Sequence, residues 1–281
     1  MPEPQEPPTA EEQHGRRIVL ITGSTGGLGR DVALRLGERG AHVIVHGRSR
    51  ERGMQVVEEI GRGPGSAGFY QADFTSLAGV RKLAEAVLRD HDRLDVLINN
   101  AGTGLSGDDE RWLSRDGHEL SFAVNYLSGF LLTHMLLPIL RESLAPRIIN
   151  VASGAQAPID FDDVMLERGY TRSRGYGQSK LAQVMFTFDL SRKLGEDFEV
   201  NAIHPATLMD TTMVRSAGVR PRSRVEEGTD AVLNLVLRPD LGTGQYFDGL
   251  RPTRAHEQAY DEEARAKLRA LSEDLVQRVV W

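Results

Sequence analysis

Short runs of β-branched residues alternate along the chain with longer stretches in which apolar positions recur every three to four residues. The strand-like runs fall at 17–22, 42–46, 67–72, 94–99, 147–152, 199–203 and 244–247. Helical periodicity fills the gaps at 28–39, 50–61, 77–90, 116–144, 176–194 and 225–237, and a charged amphipathic stretch at 260–279 follows the last strand. This order predicts an α/β fold: seven parallel strands in one doubly wound sheet, helices on both faces, and an extra C-terminal helix. In such a sheet the ligand crevice lies beyond the C-terminal ends of the strands, where the strand order reverses. No repeat or second composition regime divides residues 16–281, so they read as one domain. Residues 1–15 are rich in Pro and Glu and nearly free of apolar side chains, the composition of a disordered leader. Two connections, 154–174 and 206–224, are long enough to carry function.

Composition narrows the chemistry. At 40% hydrophobic and 26% charged residues the chain resembles an ordinary globular enzyme. Its net charge of −6 gives no reason to expect nucleic acid or an acidic membrane as partner. With no cysteine it has no disulfide, thiolate metal site or Cys nucleophile, which is compatible with the reducing cytoplasm where we expect it. The most apolar window, 130–140, contains His134 and Pro138 and is shorter than the roughly twenty residues of a spanning helix, so no membrane association is expected. None of the eight histidines has metal-ligand spacing, and no metal is expected.

The first strand runs into Thr22-Gly23-Ser24-Thr25-Gly26-Gly27-Leu28-Gly29, after which a helix starts. Glycines at a strand-to-helix turn let the backbone approach a pyrophosphate, while the helix N-terminal N–H groups bind its charge. Ser24 and Thr25 could add hydroxyl donors. The run fits two spacings, one through Gly23, Gly27 and Gly29 and the other through Gly23, Gly26 and Gly29. Further on, Tyr176 and Lys180 stand four residues apart and share one face of a helix. An ammonium beside a phenol favours the phenolate and makes tyrosine a usable proton exchanger. Only four of the 34 basic residues are lysines, so Lys180 is not what composition supplies by default.

Together with Asn99-Asn100-Ala101-Gly102, Asn125, Ser153 and Tyr176-Gly177-Gln178-Ser179-Lys180, in that order, the sequence resembles the short-chain dehydrogenase/reductase family over nearly its whole length beyond the leader. The resemblance implies a Rossmann-type nucleotide-binding fold and the interconversion of a carbonyl and an alcohol. It assigns Tyr176 as acid/base, Lys180 as its activator and ribose ligand, Ser153 as hydrogen-bond partner of the substrate oxygen, and Asn125 as holder of a proton-relay water. It places Gly23, Ser24, Thr25, Gly27, Leu28, Gly29, Asn100, Ala101, Gly102 and Pro205 around the cofactor, and Asp73 and Phe74 at its adenine. The long interval between Ser153 and Tyr176, and the segments 176–194 and 244–275, resemble the retinol-dehydrogenase-like branch. Family members self-associate through their long fourth and fifth inter-strand helices, which implies a homodimer or homotetramer.

Relatives that use NAD carry an acid at the end of the second strand. This chain instead has His46-Gly47-Arg48-Ser49, and Arg48 can pair with a 2′-phosphate. NADP(H) is therefore the expected cofactor, with NAD(H) as the lesser possibility. After Pro205, alanine at 206 replaces the family's glycine, where a positive φ would be costly. Thr211 remains the candidate carboxamide partner, in an uncertain register. The following segment, with Met209, Met213, Val214 and Val219 among arginines, reads as an apolar-sided flap over a small hydrophobic carbonyl or alcohol. Two other functions fit part of the pattern. An epimerase or dehydratase is opposed by the Asn-Asn-Ala-Gly run, by Gly27 and by the short stretch after Lys180; a non-catalytic NADP(H)-binding regulator would not need the full Asn–Ser–Tyr–Lys set.

Overall fold

β1 (Ile18–Ile21) is apolar at four successive positions instead of alternately, as in a strand covered on both faces. In the computed structural model, which describes residues 16–104 and 109–276, β1 lies between β2 (His42–Gly47) and β4 (Val96–Asn99). The sheet is completed by β3 (Ser66–Gln71), β5 (Arg147–Val151), β6 (Glu199–His204), β7 (Tyr246–Asp248) and β8 (Arg251–Thr253), in the order β3-β2-β1-β4-β5-β6-β7-β8. The first seven strands are parallel, as expected. An eighth is added antiparallel to β7, with Pro252 opposite Phe247. Three residues, one of them proline, leave no periodicity to read. The order reverses between β1 and β4, which places the crevice at the ends of those two strands.

One face of the sheet is covered by α1 (Gly27–Gly37) and α2 (Arg50–Gly61). The other carries α3 (Leu77–Asp90), then α4 (Ser128–Leu140) and α5 (Arg172–Leu194). A short α6 (Thr212–Ser216) lies in the second long connection, and α7 (Val225–Leu237) returns to the first face. The expected helix over 116–144 begins only at Leu120 and ends at Leu140. The buried Glu119 carboxylate accepts from the backbone N–H groups of Ser121 (2.9 Å) and Phe122 (2.7 Å), starting the helix there, and residue 119 itself forms a β-bridge with Leu113. Residues Phe122–Leu127 are π-helical and include Asn125.

The helical run Phe122–Leu140 is long and apolar enough to cross a membrane by length and composition, longer than the window counted from the sequence, yet 83% of its most apolar stretch is buried in the fold. The C-terminal helix α8 (Glu262–Leu275) packs on that flank. Tyr126 Oη and Ser272 Oγ hydrogen-bond at 2.7 Å, Arg269 pairs with Asp189 at 2.6 Å, and the rings of Phe188 and Tyr260 lie 5.2 Å apart. Thus α8 covers, from within the chain, part of the flank of α5 and of the turn that leads into α4. The expected leader, 1–15, and the end of the C-terminal helix, 277–279, lie outside the described residues.

Candidate active site

At the end of β1 the chain turns through Gly23 and Gly27, both in the left-handed region (φ +67° and +53°), into an α1 whose N-terminus has no side-chain cap. A Cβ on Gly29 would lie 2.7 Å from the Gly23 carbonyl oxygen, whereas Gly26 is extended with open space around it. The conformationally required glycines are therefore 23, 27 and 29, which selects the first of the two spacings. Donors left free at the start of α1 suit a pyrophosphate. Leu28 is buried and packs toward α7, holding the turn down.

Ser24 does not play the expected part. Its hydroxyl is fully buried, donates to Ile21 O (2.8 Å) and accepts from His46 N–H (3.0 Å), so it braces the turn instead of reaching a phosphate. Thr25 is half-buried against Gly47 and keeps a hydroxyl at the crevice. Asn100 also faces the turn: its side-chain amide donates to Thr22 O (2.8 Å), and the N–H groups of Asn100 and Ala101 both donate to Thr22 Oγ1 at 2.9 Å. Thr22, not singled out from the sequence, is thus the pin between the two strand ends. Gly102 continues this run to the Asn125 and Lys180 side chains.

Arg48 is exposed at the end of β2, near enough to act on the Asp73 carboxylate. Burial works to raise the Asp73 carboxyl, but hydrogen bonds from Thr75 and the guanidinium groups of Arg115 and Arg48 outweigh it and hold it below the usual range. Phe74 is buried, stacked on His46 with ring centroids 4.3 Å apart.

Tyr176, Lys180 and Ser153 come together as the sequence implied. The Tyr176 hydroxyl lies close enough to the Ser153 side chain for the serine to favour its ionised form, and Lys180 Nζ lies 5.7 Å from the centre of the Tyr176 ring. Asn125 is buried, accepts from Thr103 N–H (2.6 Å) and donates to Ser179 Oγ (2.9 Å). The electrostatics differ from expectation. Burial pushes the Tyr176 phenol above its ordinary value and the Ser153 side chain only opposes this, while burial brings the Lys180 ammonium down to about 7. Nζ lies over the ring and is held by Val151 O (2.9 Å) and Gln183 Oε1 (2.8 Å), neither of them readable from the Tyr–Lys spacing. Ser153 is steadied in turn through its carbonyl, which accepts from Tyr246 Oη and Gln156 Nε2, each at 3.0 Å.

Beyond β6, Pro205 is buried against α7, and the residue forced into the left-handed region is Leu208 (φ +50°), not Ala206. Thr211 caps α6 and places its methyl group beside Gly27, which brings the uncertain register to the glycine turn. Met209 faces inward against α7, but Met213 reaches across to Gly104, next to Thr103 and Asn125. Among the described residues no group of three His, Asp or Glu could hold a metal ion.

A family model for short chain dehydrogenases matches residues 17–221. Retinol dehydrogenase 13 of Homo sapiens is 35% identical over 284 aligned positions, covering 92% of this chain and 84% of that protein. A crystal structure of an uncharacterized protein from Mycobacterium paratuberculosis is 30% identical, with a TM-score of 0.78 and 94% of each chain covered. The Pseudomonas aeruginosa RhlG/NADP active-site complex is also 30% identical, with a TM-score of 0.67, covering 83% of this chain and 94% of that one.

Proposed function

This chain belongs to the short-chain dehydrogenase/reductase family, in its retinol-dehydrogenase-like branch, and from that premise we propose an NADP(H)-dependent oxidoreductase acting on a small hydrophobic carbonyl or alcohol, with Tyr176 as acid/base. The observation that carries this reading is the buried Tyr176 with Ser153 near its hydroxyl and Lys180 over its ring, in a fold whose glycine turn ends in an uncapped helix. The turn fits a dinucleotide: Gly29 lets it pack closely on Gly23 and Asn100, open space lies beside Gly26, and the uncapped donors of α1 match a pyrophosphate.

When bound, the dinucleotide supplies or accepts the hydride. Tyr176 gives its proton to the substrate oxygen in reduction and takes one in oxidation. Ser153 donates to the same oxygen and fixes its place, with Tyr246 and Gln156 holding the Ser153 backbone. Lys180, held over the phenol ring by Val151 O and Gln183, would donate to the ribose hydroxyls of the bound dinucleotide. Asn125, in the π turn, lines the route by which Lys180 recovers protons from solvent. Following NADPH absorbance across a panel of hydrophobic ketones and aldehydes tests the reading: oxidation of NADPH in step with alcohol formation is expected, and tight binding with no turnover would favour a regulator.

The preference for NADP(H) rests on Arg48, an exposed guanidinium at the end of β2 with no acid beside it in sequence. Arg48→Ala is expected to raise the KM for NADPH by about 10–100-fold, the worth of one charge-assisted hydrogen bond, while leaving that for NADH nearly unchanged. Equal losses would remove the assignment. The hydrophobic substrate is supported by Met213 lying against Gly104, next to Thr103, whose N–H bonds Asn125. Because α8 covers part of the α5 flank, we read the chain as a monomer in place of the expected dimer or tetramer. Light scattering should return a mass near 31.0 kDa, and twice that value would show association through another surface.

A further inference from the structure

His46 is the last-but-one residue of β2, and from the sequence it reads only as a strand position. It is 3% exposed, and its ring makes contact in three directions. Nδ1 accepts from the Gly23 N–H at 3.1 Å, Nε2 lies 3.3 Å from the Ala72 carbonyl oxygen, and the ring stacks on Phe74. These partners dictate the tautomer: the carbonyl requires a proton on Nε2, which leaves Nδ1 with the lone pair that Gly23 uses. The backbone adds two more ties, His46 N–H to Ser24 Oγ and Ser24 N–H to His46 O (2.9 Å). Burial keeps the imidazole neutral, bringing it down to about 4.

We propose that His46 is a positioning residue for the dinucleotide, whose imidazole couples the pyrophosphate-binding turn at Gly23 to the adenine-side segment Ala72–Phe74. This proposal rests on the dinucleotide reading above. The turn carries the phosphate donors and the end of β3 carries Asp73 and Phe74, so their separation must match the span between adenine and pyrophosphate. A single side chain bonded to both fixes that separation. Gly23, in the left-handed region, would otherwise have a half-buried N–H that loses this acceptor and a backbone free to relax from the shape its neighbours require.

Two substitutions separate positioning from packing. In His46→Asn the amide oxygen occupies nearly the place of Nδ1 and can still accept from Gly23, although the ring is lost. In His46→Leu the bulk is kept and the acceptor removed. Fluorescence titration with NADPH is expected to give a Kd for the leucine variant about tenfold above that of the parent, and for the asparagine variant within threefold of it. At saturating NADPH, kcat should fall less than threefold in both, so that the loss sits in the KM for the dinucleotide. If the leucine variant does not accumulate folded, His46→Gln takes its place, because its longer amide reaches Ala72, where its NH2 can donate to the carbonyl, and not Gly23; the same tenfold loss is expected. A leucine (or glutamine) variant that binds as tightly as the parent overturns the proposal, as do equal losses in it and in the asparagine variant. A parent chain that binds neither NADPH nor NADH overturns the dinucleotide reading itself, and a parent that binds while the variants do not divide overturns only the role of His46.

Discussion

Tyr176→Phe lowers kcat by about 10²–10⁴-fold, the range for removing a positioned general acid, while the Kd for NADPH stays within a few-fold of the parent. The substitution deletes one oxygen and leaves the ring under Lys180. The phenol starts in an unfavourable state for oxidation, pushed up by burial, so alcohol oxidation by the parent should accelerate with rising pH well past neutrality. Reduction needs the phenol protonated, which burial favours, and should be nearly flat through neutral pH. Steady-state rates in both directions over pH 6–10 check this pattern; a phenylalanine variant with parental turnover would leave the proposed acid/base without a role.

Lys180→Met gives the second large effect, with opposite signs in activity and stability. Turnover should fall by about 10²-fold or more, since among the described residues Lys180 is the cation placed over the phenol ring. Stability should rise. Burial lowers the lysine from 10.5 to about 7 in the folded chain, while the unfolded chain keeps its ordinary value. Between those values the unfolded state binds the extra proton, so this residue makes stability increase as pH rises from 7 toward 10, and its full cost is felt below 7. Removing that buried charge, at the cost of its hydrogen bonds to Val151 and Gln183, should stabilise the fold by about 2 kcal/mol. For a chain of this size, that raises Tm by about 5 °C at pH 6.5 without added dinucleotide, and by less at pH 9. Equal Tm values at both pH values would mean that the ammonium costs the fold nothing.

The parts of the site carried by spacing within one element were legible in the sequence. Tyr176 and Lys180 meet because a helix repeats every 3.6 residues, and the glycine turn follows an apolar strand. Helices α2, α3 and α7 begin and end where their apolar periodicity does. What escaped depends on partners remote in sequence or on backbone acceptors. Ser24 looked like a phosphate ligand until His46, 22 residues away, claimed its oxygen. Gln183 and Val151 hold Lys180 by contacts that no motif encodes. The start of the helix before Asn125 was misplaced because its cap is Glu119, a residue type seldom read as a helix start. Likewise α5 begins before Tyr176, at Arg172, where Thr171 caps it.

Strand β8 has a consequence for the behaviour of the protein at high concentration. A sheet of parallel strands would otherwise end on β7, whose outer backbone groups could template pairing with another molecule. Adding Arg251-Pro252-Thr253 puts at that border a strand of only three exposed residues. Pro252 has no N–H to offer, and Arg251 carries a charge. Pro252→Val should restore a donor there, and the border would become a seed for aggregation on gentle heating, well below the temperature at which the core itself melts.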